Sequence, residues 1–558
     1  MRTLIISSFF FQFLLAQTIG PELFRINQVS SQNALDGLRS NSIGDIIQQE
    51  DTLLWLGTGA GLSLLKDSTS SVKDSIGIFT LDSSITANRP SENFIGAVSA
   101  LAVEKKTLLA AFAISGEEIS AGNGIVYSSN STGNSITWKY FYDELIDKEP
   151  DSIPTFAGKY FKSLPITAHE ANVTYDAAIE GSYAWITSWA GGLRRYNIDI
   201  AQNFWERIPL PQDGDISLDT CDSLSYEIDP DEEYKSLLKN YYLNPRDPED
   251  GGNHNHKAFS VIAYSDTIWV GTANGINRGI IGDGKGCVSW KHFTPSGYGL
   301  SGGFVVDLEL QRYKGKRIIW AATVQALNGE KNGVSFSMDD GETWHTTLVG
   351  ERAYNISASD SIVLVATKTG LWKTVIDDPM DIEKVWAKYS NAKQVLPVGS
   401  TGAYKMDEVL SDEVVGVNYD KRSFYSKFST IWLGTWDGLA RSIGNDAKNW
   451  RIYRSEYDKA KAYAYPNPFS PYEHNIVGGG GYVHINIDVK ISYVVKMDIF
   501  NFAMEPVLSK EFDRRNSLTG SFKWDGKDKN GRIVDNGTYF IKMEYDQKVD
   551  WLKLIVIK

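Results

Sequence analysis

One step recurs seven times along this chain: a glycine followed by an aliphatic residue, at Gly61-Leu62, Gly124-Ile125, Gly192-Leu193, Gly275-Ile276, Gly333-Val334, Gly370-Leu371 and Gly438-Leu439. The fullest copies around it read LLWLGTGAGLSLL from Leu53, AWITSWAGGLRRY from Ala184, TIWVGTANGINRG from Thr267 and TIWLGTWDGLARS from Thr430. An apolar alternating segment precedes the step, as in SIGDII, AVSALAV, FSVIAY, FVVDLEL and VVGVNY. A strand led by Trp138, Trp205, Trp290, Trp344, Trp386 or Trp450 follows it, and only the first copy replaces that Trp, with the IGIF run at Ile76. A lone four-stranded sheet cannot bury both of its faces, whereas sheets packed radially cover each other and leave only short edges. In-phase repetition therefore predicts an all-β fold built on a seven-bladed β-propeller over residues 17–456, with six or eight blades if a degenerate copy is misread. Unrelated hairpins of a β-sandwich would not keep one strand order through every copy. The segment ELFRINQ ahead of the first blade would add an outer strand to the last.

Export is written at the start. Arg2 supplies a positive end, Leu4 to Leu15 is an uncharged apolar run, and Ala16 is a small residue suited to cleavage before Gln17. The run is too short for a permanent membrane anchor, so residues 1–16 read as a secretory signal peptide, and no further long apolar segment follows. No Cys follows the cleavage point, which argues against a lipoprotein. The formal net charge of -13 excludes a nucleic-acid backbone as partner and argues against docking on an anionic membrane. Cys221 and Cys287 are the only cysteines; an oxidising compartment would allow them to pair, and two separate thiols fit the spacing equally.

The wording of the repeat resembles the propeller repeats of the periplasmic sensor regions of hybrid two-component regulators. No kinase or membrane span follows, so the resemblance implies the fold and a sensing or binding style. SMDDGETW resembles the Asp-box of sialidase-type propellers, with Ser337, Asp339, Gly341, Thr343 and Trp344 in place. That resemblance implies a braced turn between third and fourth strands with an inward Trp, and it is silent about catalysis.

In an up-and-down blade the second-to-third and fourth-to-first loops share one face. Most long extensions fall there: 115–123, 147–165, 213–252, 324–332 and 391–406; the 419–430 loop lies on the other side. Long loops on a rigid scaffold are where binding usually lives, so this face is the expected seat of a glycan or protein ligand. Trp189 and Trp436, each in a tight second-to-third loop, are the candidate ligand-binding rings, with packing against a neighbouring loop as the alternative for both. The acidic 213–252 insertion, with DPDEEY and DPEDGG, carries hard oxygen ligands of the kind Ca²⁺ takes, but its spacing matches no cation loop. His254 and His256 lack the further ligands zinc needs. No metal site and no cofactor is assigned.

No catalytic residue is assigned either. A propeller glycosidase needs two carboxylates at a defined separation, and a sialidase adds an arginine cluster for its substrate's carboxylate. No such set of Arg, Tyr and Glu stands out, nor any nucleophile elbow or phosphate-cradling loop. A binding module is the first reading; a secreted polysaccharide-active hydrolase and a ligand-sensing ectodomain are the alternatives.

After Trp450 the composition changes. Tyr465-Pro466-Asn467-Pro468-Phe469, Trp524-Asp525-Gly526, Asn530-Gly531, Asn536-Gly537-Thr538-Tyr539 and the run Leu552 to Lys558 together resemble the Ig-like domain of flagellar hook-capping type. The same pattern occurs as the C-terminal sorting domain of type IX secretion substrates. The resemblance implies a small Ig-like β-sandwich over 457–558 that serves sorting or anchoring, with outer-membrane secretion machinery as partner and the bacterial cell surface as destination. An Ig-like domain without a sorting role is the alternative. Asp-Gly and Asn-Gly pairs suit hairpin turns, and Tyr539, Ile541 and Met543 alternate onto one face of a strand.

Overall fold

The computed structural model describes residues 38–558 apart from short stretches, the longest of them 67–76, 81–95, 148–153, 423–428, 454–461, 475–480 and 516–520. The predicted signal peptide and ELFRINQ lie outside the described residues. Each copy of the repeat forms one antiparallel four-stranded sheet with strands in chain order. Blade one is Ile43–Gln49, Leu53–Thr58, Gly61–Lys66 and Gly77–Thr80, and blade seven is Val414–Asp420, Thr430–Thr435, Gly438–Ser442 and Trp450–Tyr453. The first strands of the five sheets between them are Ala97–Glu104, Thr174–Glu180, Ala258–Tyr264, Phe304–Tyr313 and Ala353–Ser359. Each first strand packs beside the next, and Val414–Asp420 packs back against Ile43–Gln49, so the ring closes with these strands innermost.

The repeated Thr and Gly have a definite job. The Thr ending the second strand hydrogen-bonds through Oγ1 to the carbonyl of the step glycine, at 2.7 Å for Thr58 on Gly61, 2.8 Å for Thr367 on Gly370 and 2.9 Å for Thr435 on Gly438. The same Oγ1 accepts a backbone N–H inside the turn, from Ala60, Thr369 and Asp437. The step glycine sits at positive φ, 126° for Gly61 and 115° for Gly438, which a side chain would strain. The glycine before the Thr serves closeness instead. A Cβ on Gly57 would lie 2.9 Å from Val98 in blade two, and one on Gly434 would lie 2.4 Å from the Ile43 carbonyl in blade one.

The cores lie between blades. Trp55, Trp185, Trp269, Trp320 and Trp432, all on second strands, are fully buried. In four blades that indole is anchored by a residue at the end of the first strand: Trp55 Nε1 donates to Gln49, Trp269 to the Tyr264 hydroxyl, Trp320 to Gln311 and Trp432 to Asp420. Leu38, Ile43, Leu54 and Leu56 pack with Trp432, Leu439 and Tyr453 to seal blade seven to blade one.

Two of the predicted loops join each other. Lys159–Ser163, from the extension before blade three, pairs in parallel with Lys235–Leu243, from the insertion before blade four. With Tyr226–Asp229 and Thr155–Phe156 they make a separate four-stranded sheet, whose Phe156, Phe161, Leu238 and Tyr241 share a core with Trp185 and Trp290 of the flanking blades. Ser217–Asp219 of the same insertion adds a fifth strand to blade four, where the bridge Cys221–Cys287 ties it down. The 391–406 extension contains an antiparallel hairpin, Lys393–Val398 with Ala403–Glu408.

The C-terminal segment is a two-sheet sandwich. Tyr463–Tyr465, Val483–Asn486 and Ser521–Trp524 form one sheet; Pro506–Asp513, Val494–Phe500, Gly537–Tyr545 and Lys548–Val556 form the other. Tyr539, Ile541 and Met543 point into its core with Trp524 and Phe469, as the alternation predicts. The Pro-Asn-Pro-Phe run staples the last strand: Asn467 donates to the Lys553 carbonyl and accepts from Ile555 N–H, while Phe469 exchanges backbone bonds with Ile555 and Ile557.

Candidate functional site: the central cavity and the loop face

A cavity of about 350 Å³ opens on the ring axis, walled by first strands from all seven blades. It is acidic. Every first strand carries an irregularity near its start, in blade one between Ile43 and Asp45, in blade three between Thr174 and Asp176, in blade five between Val305 and Asp307 and in blade six between Ala353 and Asn355. The residue just past this bulge reaches sideways to the following blade. Asp45 Oδ2 accepts from Leu101 N–H at 2.9 Å, Asp176 Oδ2 from Val261 N–H at 2.8 Å, Asp307 Oδ2 from Ile356 N–H at 2.5 Å and Asn355 Oδ1 from Val417 N–H at 2.9 Å. Two residues further on, Glu309 accepts from Ala358 N–H and Ser357 from Tyr419 N–H. In blade four Ser260 donates to the Val305 carbonyl instead. A bulge leaves backbone N–H groups outside the ladder, and these oxygens satisfy them across the blade boundary.

Burial dominates the titration of these acids. It pushes Asp45 up to about 6, Asp176 to about 8 and Glu309 to about 7, against the lowering effect of their backbone hydrogen bonds. Burial also holds Asp307 well above the ordinary carboxylate range, and repulsion from Asp176 adds to it. Burial therefore favours the neutral form of these acids, so at neutral pH the cavity is less negative than its count of carboxyls. Among the described residues no group of three or more His, Cys, Asp or Glu is placed to hold a metal ion.

The aromatic candidates sit on the loop face with their rings engaged. Trp436 is buried with Tyr354 and Val415 of the neighbouring strands. Trp189 is half-buried, its ring edge-on to Phe259 at 5.8 Å and under the Lys257 ammonium at 4.7 Å. His256 is wholly enclosed: its Nδ1 accepts from Asn244 N–H at 2.9 Å, which leaves Nε2–H for the Leu210 carbonyl at 3.2 Å. Burial lowers it to about 4, so it is a neutral structural imidazole. His254 lies 3.0 Å from Lys257 Nζ. Asp213, from the acidic insertion, accepts from His254 and Asn255 N–H and from Asn274, which ties that insertion to blade four.

The Ser337 turn is held by its own side chains. Ser337 Oγ donates to Asp339 and accepts from Gly341 N–H, and Asp339 receives both N–H and hydroxyl of Thr343. Trp344 is buried against Trp269 and Phe293.

The clamp residues were not singled out from sequence, though the signal was there. SIGDII, VTYDAAI, VVDLEL and AYNIS place Asp or Asn at one phase of the first strand.

No family model and no curated protein matches the chain. Solved structures of similar architecture include PorZ, described as an essential bacterial surface component of the type IX secretion system of Porphyromonas gingivalis, at 12% identity and a TM-score of 0.37. That alignment covers 93% of this chain and 66% of that structure, so the chain spans just under two thirds of its length. YCF48 from Cyanidioschyzon merolae is 11% identical over 73% of this chain and 97% of that one, with a TM-score of 0.37. The WD40 propeller of Doa1 gives 10%, 73%, 94% and 0.36 for the same quantities. The propeller assignment itself rests on the sheet order and the ring of first strands. Among the described residues no helix is long and apolar enough to cross a membrane.

Proposed function

We propose that this chain is a non-enzymatic binding propeller, exported by the signal peptide at residues 1–16 and displayed on a bacterial surface through the C-terminal sandwich at residues 457–558. One observation carries the non-catalytic part of this reading: the axial carboxylates are committed to backbone N–H groups of the following blade. A hydrolase needs one carboxylate free to ionise and another poised to donate its proton to substrate. Asp45, Asp176, Asp307 and Glu309 serve as braces between blades instead. The ligand, a glycan or a protein, is assigned to the loop face, where Trp189 keeps part of its ring accessible. The Ser337–Trp344 turn is read as an Asp-box, a fold device. The pairing of the Pro-Asn-Pro-Phe run with Lys548–Val556 supports a single folded sandwich as the unit that outer-membrane secretion machinery recognises.

Two experiments test this. Removing residues 457–558 should leave the propeller in the periplasm, and undiminished surface display would overturn the sorting role. The secreted full chain should give hits on a glycan and peptide array and release no product from a polysaccharide panel. Product release that one carboxylate substitution abolishes would overturn the binding-module reading.

A further inference from the structure

Blade three contains a pairing that electrostatics alone would forbid. Its third strand, Gly192–Asn197, and fourth strand, Glu206–Ile208, set Arg194 directly opposite Arg207. Directly opposed residues on antiparallel strands bring their Cβ atoms within about 5 Å on one face, and like charges there repel. Both side chains are buried. The neighbouring pair, Arg195 and Glu206, points to the other face and is matched, with guanidinium contacts of 2.7 and 3.0 Å.

The partners of the two buried arginines do not balance them. Arg194 donates to Asn172 Oδ1 at 3.2 Å and to the Leu145 carbonyl at 2.8 Å, both neutral. Arg207 uses Nη1 alone, on the Leu164 carbonyl at 2.9 Å, Ser163 Oγ at 3.2 Å and Asp147 Oδ2 at 3.5 Å. That carboxylate oxygen is taken more closely by Ile166 N–H, at 2.7 Å. The nearby imidazole, His256, is neutral. Nε and Nη2 of Arg207 are shut from solvent and have no hydrogen-bond partner among the described residues. These two N–H groups lie parallel along one edge of the guanidinium, the edge that grips a single acceptor from two directions.

A guanidinium does not relieve burial by giving up its proton; burial and the adjacent Arg207 lower Arg194 only to about 9. Two cations share one carboxylate, Asp147, which leaves one positive charge without a counter-charge among the described residues, and that is costly in the interior. The edge is enclosed, so the counter-charge must be small.

We propose that the Nε–Nη2 edge of Arg207, beside Arg194, is a structural binding site for one enclosed inorganic anion of halide size. The anion locks blade three to the chain that precedes it, where Leu145, Asp147, Ser163 and Leu164 already accept from the two arginines. A water molecule would satisfy the two donors and leave the charge, which separates the alternatives.

The test uses the full chain. Crystals grown with bromide in place of chloride should show an anomalous peak on the Nε–Nη2 edge of Arg207. In solution, the unfolding midpoint should rise saturably with sodium chloride over sodium gluconate at equal ionic strength. Arg207→Met should lose that difference, while Arg317→Ala, which removes an exposed arginine paired with Asp340, should keep it. Water alone at that edge in the bromide map, or equal midpoints in the two salts, would overturn the proposal. If Arg207→Met fails to fold, the wild-type map decides.

Discussion

Replacing Asp176 by Asn removes an ionisable group from the central cavity without removing the acceptor that Val261 N–H needs. The fold contains its own precedent, because Asn355 occupies the equivalent place in blade six and accepts from Val417 N–H at 2.9 Å. In the folded chain Asp176 keeps its proton up to about pH 8, against 3.8 for an unperturbed Asp. Between those values the native state holds a proton that the unfolded chain has released, so wild-type stability falls as pH rises through the window. At about 1.4 kcal/mol per pH unit the ceiling on this loss is roughly 6 kcal/mol. Asp176→Asn cannot ionise and escapes it. The variant should match wild type near pH 4 and exceed it increasingly towards pH 8.5, by up to that ceiling. Denaturant unfolding followed by the fluorescence of the buried tryptophans, repeated across this pH range, measures the difference directly. Parallel pH profiles for the two proteins would refute the placement of Asp176 as a buried, proton-bearing brace.

Gly434→Val should open the seam between blades seven and one, since its Cβ would meet the Ile43 carbonyl at 2.4 Å; a loss of about 1–3 kcal/mol or more by denaturant unfolding is expected. Asp339→Ala strips the Ser337 turn of its bonds to Ser337 and Thr343, and should cost about 1–3 kcal/mol while leaving far-UV circular dichroism unchanged. Cys221→Ser releases a bridge spanning 66 residues, worth about 4 kcal/mol by loop entropy. Hydrogen exchange should then accelerate in Ser217–Asp219 and Tyr226–Asp229 while the first strands of the blades stay protected.

The ring was legible because its signal is local. Each Gly-Thr, turn and Gly-aliphatic step encodes one hairpin, and the hairpin fixes the register of its blade. The sheet shared by Lys159–Ser163 and Lys235–Leu243 was not legible, since a parallel pairing between two insertions leaves no turn residue between its partners. Read as loops, those insertions instead contribute strands to one sheet. The candidate ring Trp436 shows the same limit. Trp436 sits in a tight turn, which suggested an exposed ring, but Tyr354 and Val415 reach it from adjoining strands and bury it. The axial acids were hidden differently: one Asp in an apolar strand looks incidental until the bulge gives it a backbone N–H in the next blade.

Among the described residues, blade seven is drawn from Val414–Tyr453 and blade one from Ile43–Thr80, with no strand shared between them. Their junction is held by packing and by a few cross-links, from Gln48 to the Tyr419 carbonyl, from Asn418 to the Ile46 carbonyl and from Gly438 N–H to the Asn41 carbonyl. Tension between residue 38 and residue 453 would load this junction before any ladder within a blade.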